Sequence, residues 1–536
     1  MGKKQSVVLM TILTIVIVVL CALTIFPAFA IPGTVKNWNP AVLQYDLGTD
    51  LNGGYYAYYL PKGVITETEY KDSVAAYEAA VEEAEAEFAA GKLKQKDLDK
   101  IKDECEEYKS LYVTVDGVNG LYFSTADDAN DDSYIVDDNG ALTDAFKASF
   151  EAASKEIAAR YAKKGYDDYR VAVVNGYSIR VELPASETTV NTSAEANAQQ
   201  TISLFSRMGE FVLNRDGALV TELEDEDASI KDLVQSVSVK TQYEVAYLNI
   251  EFTEAGREIV KEYKEALTAS SSDSSKTTSL EFVLNGEPLM SITADHIDDS
   301  HNIKVKYPVA NEEDIRYVET LSILLNSALA NEKGFGIEFE NVAADQIREF
   351  AAVSGSNTMT LVFIGLFAVL VALIVFGIVK MGKFGVVNMY ATVSYLIITG
   401  LCFAFISQGV FTVSFGTILM FLIGLVAINV FNLITYDAIK KECDLGKTVE
   451  SSVKAGYNKT LGNTIDVYAV ALLGALAFLI GGAGMHTVAL QAIICVVTAA
   501  FCNLLWGRFI NFVFLSAHQD KDKYFRVVRE EEEDDE

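Results

Sequence analysis

Positive charge is what this chain is short of. Lysine and arginine total 43 against 74 aspartates and glutamates, a formal net charge of −31. A general nucleic-acid binder needs a basic face, so that class is excluded and no nucleic-acid partner is expected. Histidine is scarcer still: there are four in 536 residues, and His296 and His301 flank the acidic stretch HIDDSH. With no third His or Cys beside them, that stretch reads as a solvated loop rather than a metal site. The chain has no GxSxG, HExxH or P-loop pattern, so hydrolytic and nucleotide chemistry have no home. Neither enzyme activity nor a cofactor nor a metal is expected. The run Asp127–Gly140 is acidic enough to suggest calcium. Counted from Asp128, however, the sixth and twelfth positions are Ser133 and Asn139 rather than the Gly and Glu of an EF-hand. The six cysteines make no disulfide framework. Cys21, Cys402, Cys495 and Cys502 lie in apolar runs, Cys443 lies in a basic segment, and only Cys105 falls in the long acidic stretch. A reducing habitat and an inert thiol both account for Cys105.

What the chain does have is apolar sequence in runs long enough to cross a bilayer core of about 30 Å as helices. Six such runs lie at about 7–30, 359–379, 386–407, 411–435, 467–484 and 487–515. Lysines and arginines near their ends set the orientation. Lys3 and Lys4 hold residues 1–6 in the cytoplasm, so 7–30 is an anchor and the domain at 32–357 is exported. Lys380 and Lys383, then Lys440 to Lys459, then Arg508 to Arg529, all fall on the cytoplasmic side. The two short outer turns carry no Lys or Arg. The expected fold is a multi-pass α-helical membrane protein with six transmembrane helices: an anchor, and a five-helix bundle at 358–515. An acidic cytoplasmic tail follows at 516–536, and its EEEEDDE run after Arg529 reads as a solvated end. The lipid bilayer is thus one partner, and both termini are expected in the cytoplasm. Pro27-Ala28-Phe29-Ala30 resembles a signal-peptidase site, but the apolar run is longer than a signal core, which favours a retained anchor over cleavage after Ala30.

The exported stretch alternates helix and strand. Residues 66–111 read as a helical hairpin broken at Gly91, rich in Ala, Glu and Lys; a solvated spacer and a partner-binding arm both fit it. Ala145–Lys164 places Phe146, Phe150, Ile157 and Tyr161 on one helical face. Asn175-Gly176, between Tyr169–Val174 and Tyr177–Leu183, predicts a hairpin turn, as does Asn285-Gly286. Glu254–Leu267 and Glu312–Leu329 read as helices. Such alternation predicts an exported α+β domain of ferredoxin-like units, with a head region at about 216–290.

Ordered motifs along the chain resemble one family. Gly48-Thr49-Asp50-Leu51-Asn52-Gly53-Gly54, just past the anchor, is similar to the GLDLxGG signature of the SecD subunit of bacterial protein export, with Thr49 for the usual Leu. Ser178–Pro184 resembles that family's IVVELPG strand, and Gly209-Glu210-Phe211 the element after it. Val283–Gly286 resembles its hairpin, Leu321–Leu329 its LALLLRSGAL helix, and Gly424–Glu442 its GMAVDANVLIFERIKEE segment. Thr464-Ile465-Asp466 is similar to TIxDAN, and Gly482-Ala483-Gly484 to the GTG turn. The resemblance implies a subunit in the bacterial cytoplasmic membrane, of the wider resistance-nodulation-division type. Such a subunit works with a SecF-like partner and the SecYEG translocon, handles unfolded preproteins, and couples movement of its exported domain to proton flow.

One departure bears on that coupling. The family's fourth helix carries an intramembrane Asp, and here that position is Val430 or Ile428 according to the alignment, with Asn429 and Asn432 beside it. Asparagine hydrogen-bonds between helices but carries no proton charge. The remaining candidates for an intramembrane relay are Asp437 and Asp466, with Lys459 and Arg508 nearby. Asp466 also reads as a cap at the start of the fifth helix. Two rival functions stand beside a coupled export subunit: an uncoupled binding scaffold at the translocon, and a half-size exporter of small molecules.

Overall fold

The computed structural model describes all residues except 1–2, 26–28, 31–36, 39–46, 116, 126–134, 138–139, 167, 186–193, 216–217, 220–228, 243–244, 271–279, 309–311, 354, 407–411, 481–482, 519–520, 522–523 and 526–536. Most of the acidic run at 127–140, the Pro27-Ala28 part of the cleavage motif, Gly482, the turn at 407–409, parts of the 216–290 region and residues 526–536 lie outside the described residues; Tyr524 and Phe525, within the segment expected as the tail, are buried. Its helices are α1 Lys3–Ile25, α2 Thr49–Asn52, α3 Glu67–Ala89, α4 Gln95–Leu111, α5 Asp144–Lys164, α6 Ala194–Ser206, α7 Ile230–Leu233, α8 Glu254–Ser270, α9 Glu312–Ala330, α10 Thr358–Met381, α11 Lys383–Ile406, α12 Phe415–Asp444, α13 Val449–Ala477, α14 Ala483–Phe501 and α15 Gly507–Ala517. They fall into two compact units. A helical unit comprises 1–54, 184–194 and 350–536, and an α+β unit comprises 55–183 and 195–349.

The α+β unit is built from small antiparallel sheets. One four-stranded sheet has the order Arg348–Phe350, Gly54–Tyr59, Ser178–Pro184, Arg170–Val174, and another runs Ala218–Leu219, Phe211–Arg215, Leu280–Leu284, Glu287–Ile292. Two three-stranded sheets complete it. Both Asn-Gly turns form as expected: Asn175 and Gly176 take φ of 55° and 82°, and Asn285 and Gly286 take 59° and 74°. Positive φ at both central residues gives the twist that an antiparallel pair needs. Helix α5 starts at Thr143, whose side chain accepts from the Phe146 N–H, and stops at Gly165 with φ 92°. Its predicted apolar face is buried: Phe146, Phe150, Ile157 and Tyr161 all join one core. Each such side chain contributes about 1.5–3 kcal/mol through burial. Beside them Arg160 is buried too. Its Nε donates to Ser327 Oγ (2.7 Å), and its Nη1 donates to the carbonyls of Phe205 (2.9 Å) and Arg207 (2.7 Å). The predicted hairpin is present as α3 and α4, with Gly91 at φ 72° between them. Thr66 and Glu69 form a reciprocal capping box at its start.

The helical unit holds six helical spans long and apolar enough to cross a membrane: Lys4–Ala22, Thr358–Met381, Lys383–Ile406, Phe415–Asp444, Val449–Ile480 and Met485–Ala517. The second, third and sixth lie within a few residues of expectation; the first is placed earlier, the fourth runs on to Asp444, and the fifth starts well before its expected position. The fifth span, expected at 467–484, begins at Val449 with Thr448 as its N-cap. Its early part is polar, but Gly456, Thr460 and Thr464 are buried there, and a Cβ on Gly456 would lie 2.5 Å from Ile439 of α12. Small residues let two helices approach closely, so packing carries the helix on where hydropathy does not. The sixth span is interrupted by a π-helical turn, Cys502–Trp506, between α14 and α15.

Candidate functional site

The signature motif is a fitted joint within the helical unit. Leu47 pairs with Val413 as a parallel bridge, and the Gly48 N–H donates to the Val413 carbonyl at 2.9 Å. This brings α2 against the start of α12. The Phe415 N–H, in the first turn of α12, donates to Asp50 Oδ2 at 2.7 Å. A carboxylate there satisfies one of the otherwise open amides of a helix start and faces the positive end of its dipole. Leu51 is buried against Phe403, Val413 and Cys495. Gly53 sits at φ 73°, ψ −157°, and a Cβ on it would lie 2.2 Å from the Phe350 carbonyl oxygen. Only glycine fits that conformation and that space. The motif residues Asp50, Leu51 and Gly53 therefore each have a mechanical reason.

Helix α12 also carries the polar centre of the bundle. Asn388 of α11 donates through Nδ2 to Asn429 Oδ1 at 2.6 Å, and Asn432 Nδ2 donates to Asn388 Oδ1 at 2.9 Å. Asn503, in the π-helical turn, donates to Asn432 Oδ1 at 3.2 Å. Asn429 Nδ2 bonds Thr392 Oγ1 (3.2 Å) and the Leu425 carbonyl (2.8 Å). All five side chains are buried. The extra residue of a π turn redirects the side chains beyond it, and such turns recur at functional sites. Further along, Gln491 accepts from Thr417 Oγ1 (2.8 Å) and donates to the Thr412 carbonyl (2.8 Å). Gly424 makes room for a neighbour: a Cβ there would lie 2.2 Å from the Tyr395 hydroxyl. The Tyr395 hydroxyl in turn donates to the Phe421 carbonyl at 3.1 Å.

Of the residues expected to form a relay, only Asn429 and Asn432 meet. Asn388, Thr392 and Asn503 belong with them and were not expected; their only sequence signal is amide or hydroxyl side chains inside apolar runs. Val430 is 47% exposed on the helix surface, whereas Ile428 is fully buried. Neither position has a carboxylate to bring to the centre. Lys459 lies 3.7 Å from Glu442, which also pairs with Lys447 at 2.5 Å. Arg508 donates to the Tyr457 carbonyl at 3.0 Å and stacks over its ring. Asp437 is exposed.

Asp466 is not a cap. It lies deep inside α13, far from the N-cap at Thr448. The Phe431–Tyr468 ring contact and the Thr435–Thr460 hydroxyl contact bracket it, placing it at the depth of Asn432 on α12. By helical rise it sits about 10 Å beyond Lys459 along α13. Its side chain faces outward among exposed Ile465, Val467 and Val470. Neither Asp437 nor Asp466 has an ion pair or side-chain hydrogen bond among the described residues.

No family model and no curated protein matches the chain. Among solved structures it is similar to a crystal structure of SecDF in a super-membrane-facing form. The identity is 14% and the TM-score 0.48, over 98% of this chain and 58% of that one. It is also similar to SecDF of Thermus thermophilus, described as a translocon-associated membrane protein, at 14% identity and TM-score 0.41, over 97% of this chain and 60% of that one. The chain thus spans about three fifths of the length of the solved chains it resembles.

Proposed function

We propose that this chain is a SecD-like accessory subunit of a Sec-type export machine, with residues 32–357 outside the cytoplasmic membrane and both termini inside. It binds or guides polypeptide arriving through the translocon and performs no catalysis. The observation that carries the reading is the signature joint: Asp50 on the first turn of α12, and Gly53 where no side chain fits. These are the residues of the motif by which the sequence resembles SecD, and the remaining motifs follow in the family's order.

A SecF-like subunit completes the assembly. A carboxylate on the exposed face of a membrane-spanning helix is costly, so Asp466 and the apolar side chains around it call for a covering helix that brings a cation or a donor. The neutral asparagine cluster favours a second reading of the energetics, in which this chain is an uncoupled scaffold and the partner holds the titrating groups. Crosslinking in cells tests the first reading: the Sec channel and an arriving secretory protein should both be captured, and recovery of neither would refute it. Asp466→Asn separates coupled from uncoupled. Reduced export assigns proton transfer to Asp466, and unchanged export assigns the coupling to the partner.

A further inference from the structure

Five tyrosines of the α+β unit form one continuous aromatic surface at the root of the α3–α4 hairpin. Tyr70 stacks on Tyr122 with ring centroids 4.0 Å apart and on Tyr108 at 6.2 Å. Tyr108 in turn meets Tyr77 at 4.9 Å and Tyr112 at 5.3 Å. None of the five is fully buried, and Tyr77 is 36% exposed. Packing alone does not call for these hydroxylated rings, since the fully buried residues of the two helices are Ala84, Leu98 and Cys105. Tyr70 donates weakly to the Lys109 carbonyl at 3.4 Å. The hydroxyls of Tyr77, Tyr108, Tyr112 and Tyr122 have no hydrogen-bond partner among the described residues.

The surroundings are acidic. Helix α3 carries eight carboxylates against one lysine, and α4 six against four. One ammonium group already sits at the platform's rim: Lys109 Nζ lies 3.0 Å from Glu78 and 3.3 Å from Glu106, both well exposed. The Glu78 bond holds its pKa above the ordinary lysine value. Lys109 is thus an internal example of the group this corner accepts.

We propose that this tyrosine platform is a docking surface for an extended polypeptide segment of another protein that carries lysine or arginine. Tyrosine faces attract cations, and rigid rings with a polar tip offer contact area at low entropic cost. The carboxylate rim supplies charge complementarity and suppresses acidic partners. The export reading bears only on where the segment comes from, and a peptide titration does not depend on it.

The test uses the full chain in lipid nanodiscs and fluorescence anisotropy of labelled Lys-Ala, Ser-Ala and Glu-Ala repeat peptides. The Lys-Ala peptide should bind in a salt-sensitive manner and the Glu-Ala peptide should not. Tyr77→Ser should weaken Lys-Ala binding about tenfold, Tyr77→Phe less than threefold, and Tyr58→Ser, an exposed tyrosine outside the platform, not at all. Far-ultraviolet dichroism confirms that each variant keeps its helices. Equal binding by wild type and Tyr77→Ser would overturn the proposal, because attraction to a chain of charge −31 would then explain everything. Equal losses in Tyr77→Ser and Tyr58→Ser, or binding of the Glu-Ala peptide, would overturn it as well.

Discussion

Replacing Asp50 tests whether the signature motif works as a helix cap. The carboxylate accepts from the Phe415 N–H at 2.7 Å, a charge-assisted bond at a helix start. Hydrogen bonds to charged groups contribute about 1.5–3 kcal/mol, and loss of a capping side chain to alanine costs about 1 kcal/mol. Asp50→Ala removes both the bond and the favourable dipole interaction, so a local cost of about 2 kcal/mol is expected. Asp50→Asn keeps an acceptor oxygen and loses only the charge, which is worth about 0.3–1 kcal/mol at such a position.

Amide hydrogen exchange reads this locally. A change of 2 kcal/mol speeds exchange by roughly thirtyfold. The effect should appear in the peptide covering 413–418 and fade further along α12. Ser414 still caps the helix through Thr417 N–H, so only the first turn should loosen. Asparagine should give a fewfold change at the same amides. If alanine leaves exchange at 413–418 within about twofold of wild type, or if asparagine is as damaging as alanine, the capping argument is wrong.

Three further outcomes are expected. Asn429→Leu strands the Asn388 amide nitrogen that now donates to it and removes a donor to the Thr392 hydroxyl; a loss of about 1–2 kcal/mol should appear in unfolding of the purified protein in mild detergent. Arg160→Ala leaves the Phe205 and Arg207 carbonyls without their buried donor. The α+β unit should lose about 3 kcal/mol, measured by urea unfolding, with Arg160→Lys between alanine and wild type. The α+β unit should also weaken above pH 10. Burial raises the hydroxyl pKa of both Tyr59 and Tyr161 above their ordinary value of 10.0, and the two share a 2.5 Å hydrogen bond. The unfolded chain then releases those protons near pH 10 while the folded one keeps them, so stability falls as pH rises. Arg160, pushed down to about 10 by burial, opposes with one proton against two. Wild type should therefore lose folded dichroism above pH 10, and a Tyr161→Phe variant that loses it over the same pH range as wild type would contradict the assignment.

The parts of this molecule that were legible in the sequence are those where a local rule decides. Asn175-Gly176 and Asn285-Gly286 turn because positive φ is cheap there. The face of α5 was readable because four large side chains share one core. Hydropathy placed the membrane spans for the same reason, except where packing overrides it. The start of α13 depends on Gly456 against Ile439, a contact between helices that no window over one helix contains. The same holds for the polar centre. A single Asn388 or Asn503 in an apolar run looks like noise until α11, the π turn and α12 bring the amides within 2.6–3.2 Å. The reading of Asp466 as a cap failed because it took the end of hydropathy for the end of the helix.

That polar centre also bears on what the missing carboxylate means. An amide both donates and accepts, so Asn388, Asn429, Asn432 and Asn503 satisfy one another without any charge. A carboxylate in their place would need a cation or a proton to be buried there. The nearest basic candidate in sequence, Arg508, is committed to the Tyr457 carbonyl and ring. Lys459 is turned toward Glu442. The cluster is therefore not a proton site lacking one residue: its partners have been arranged for neutrality, and changing Val430 or Ile428 alone to aspartate supplies no counter-charge. Asp466 stands apart from this cluster, on the exposed face of α13.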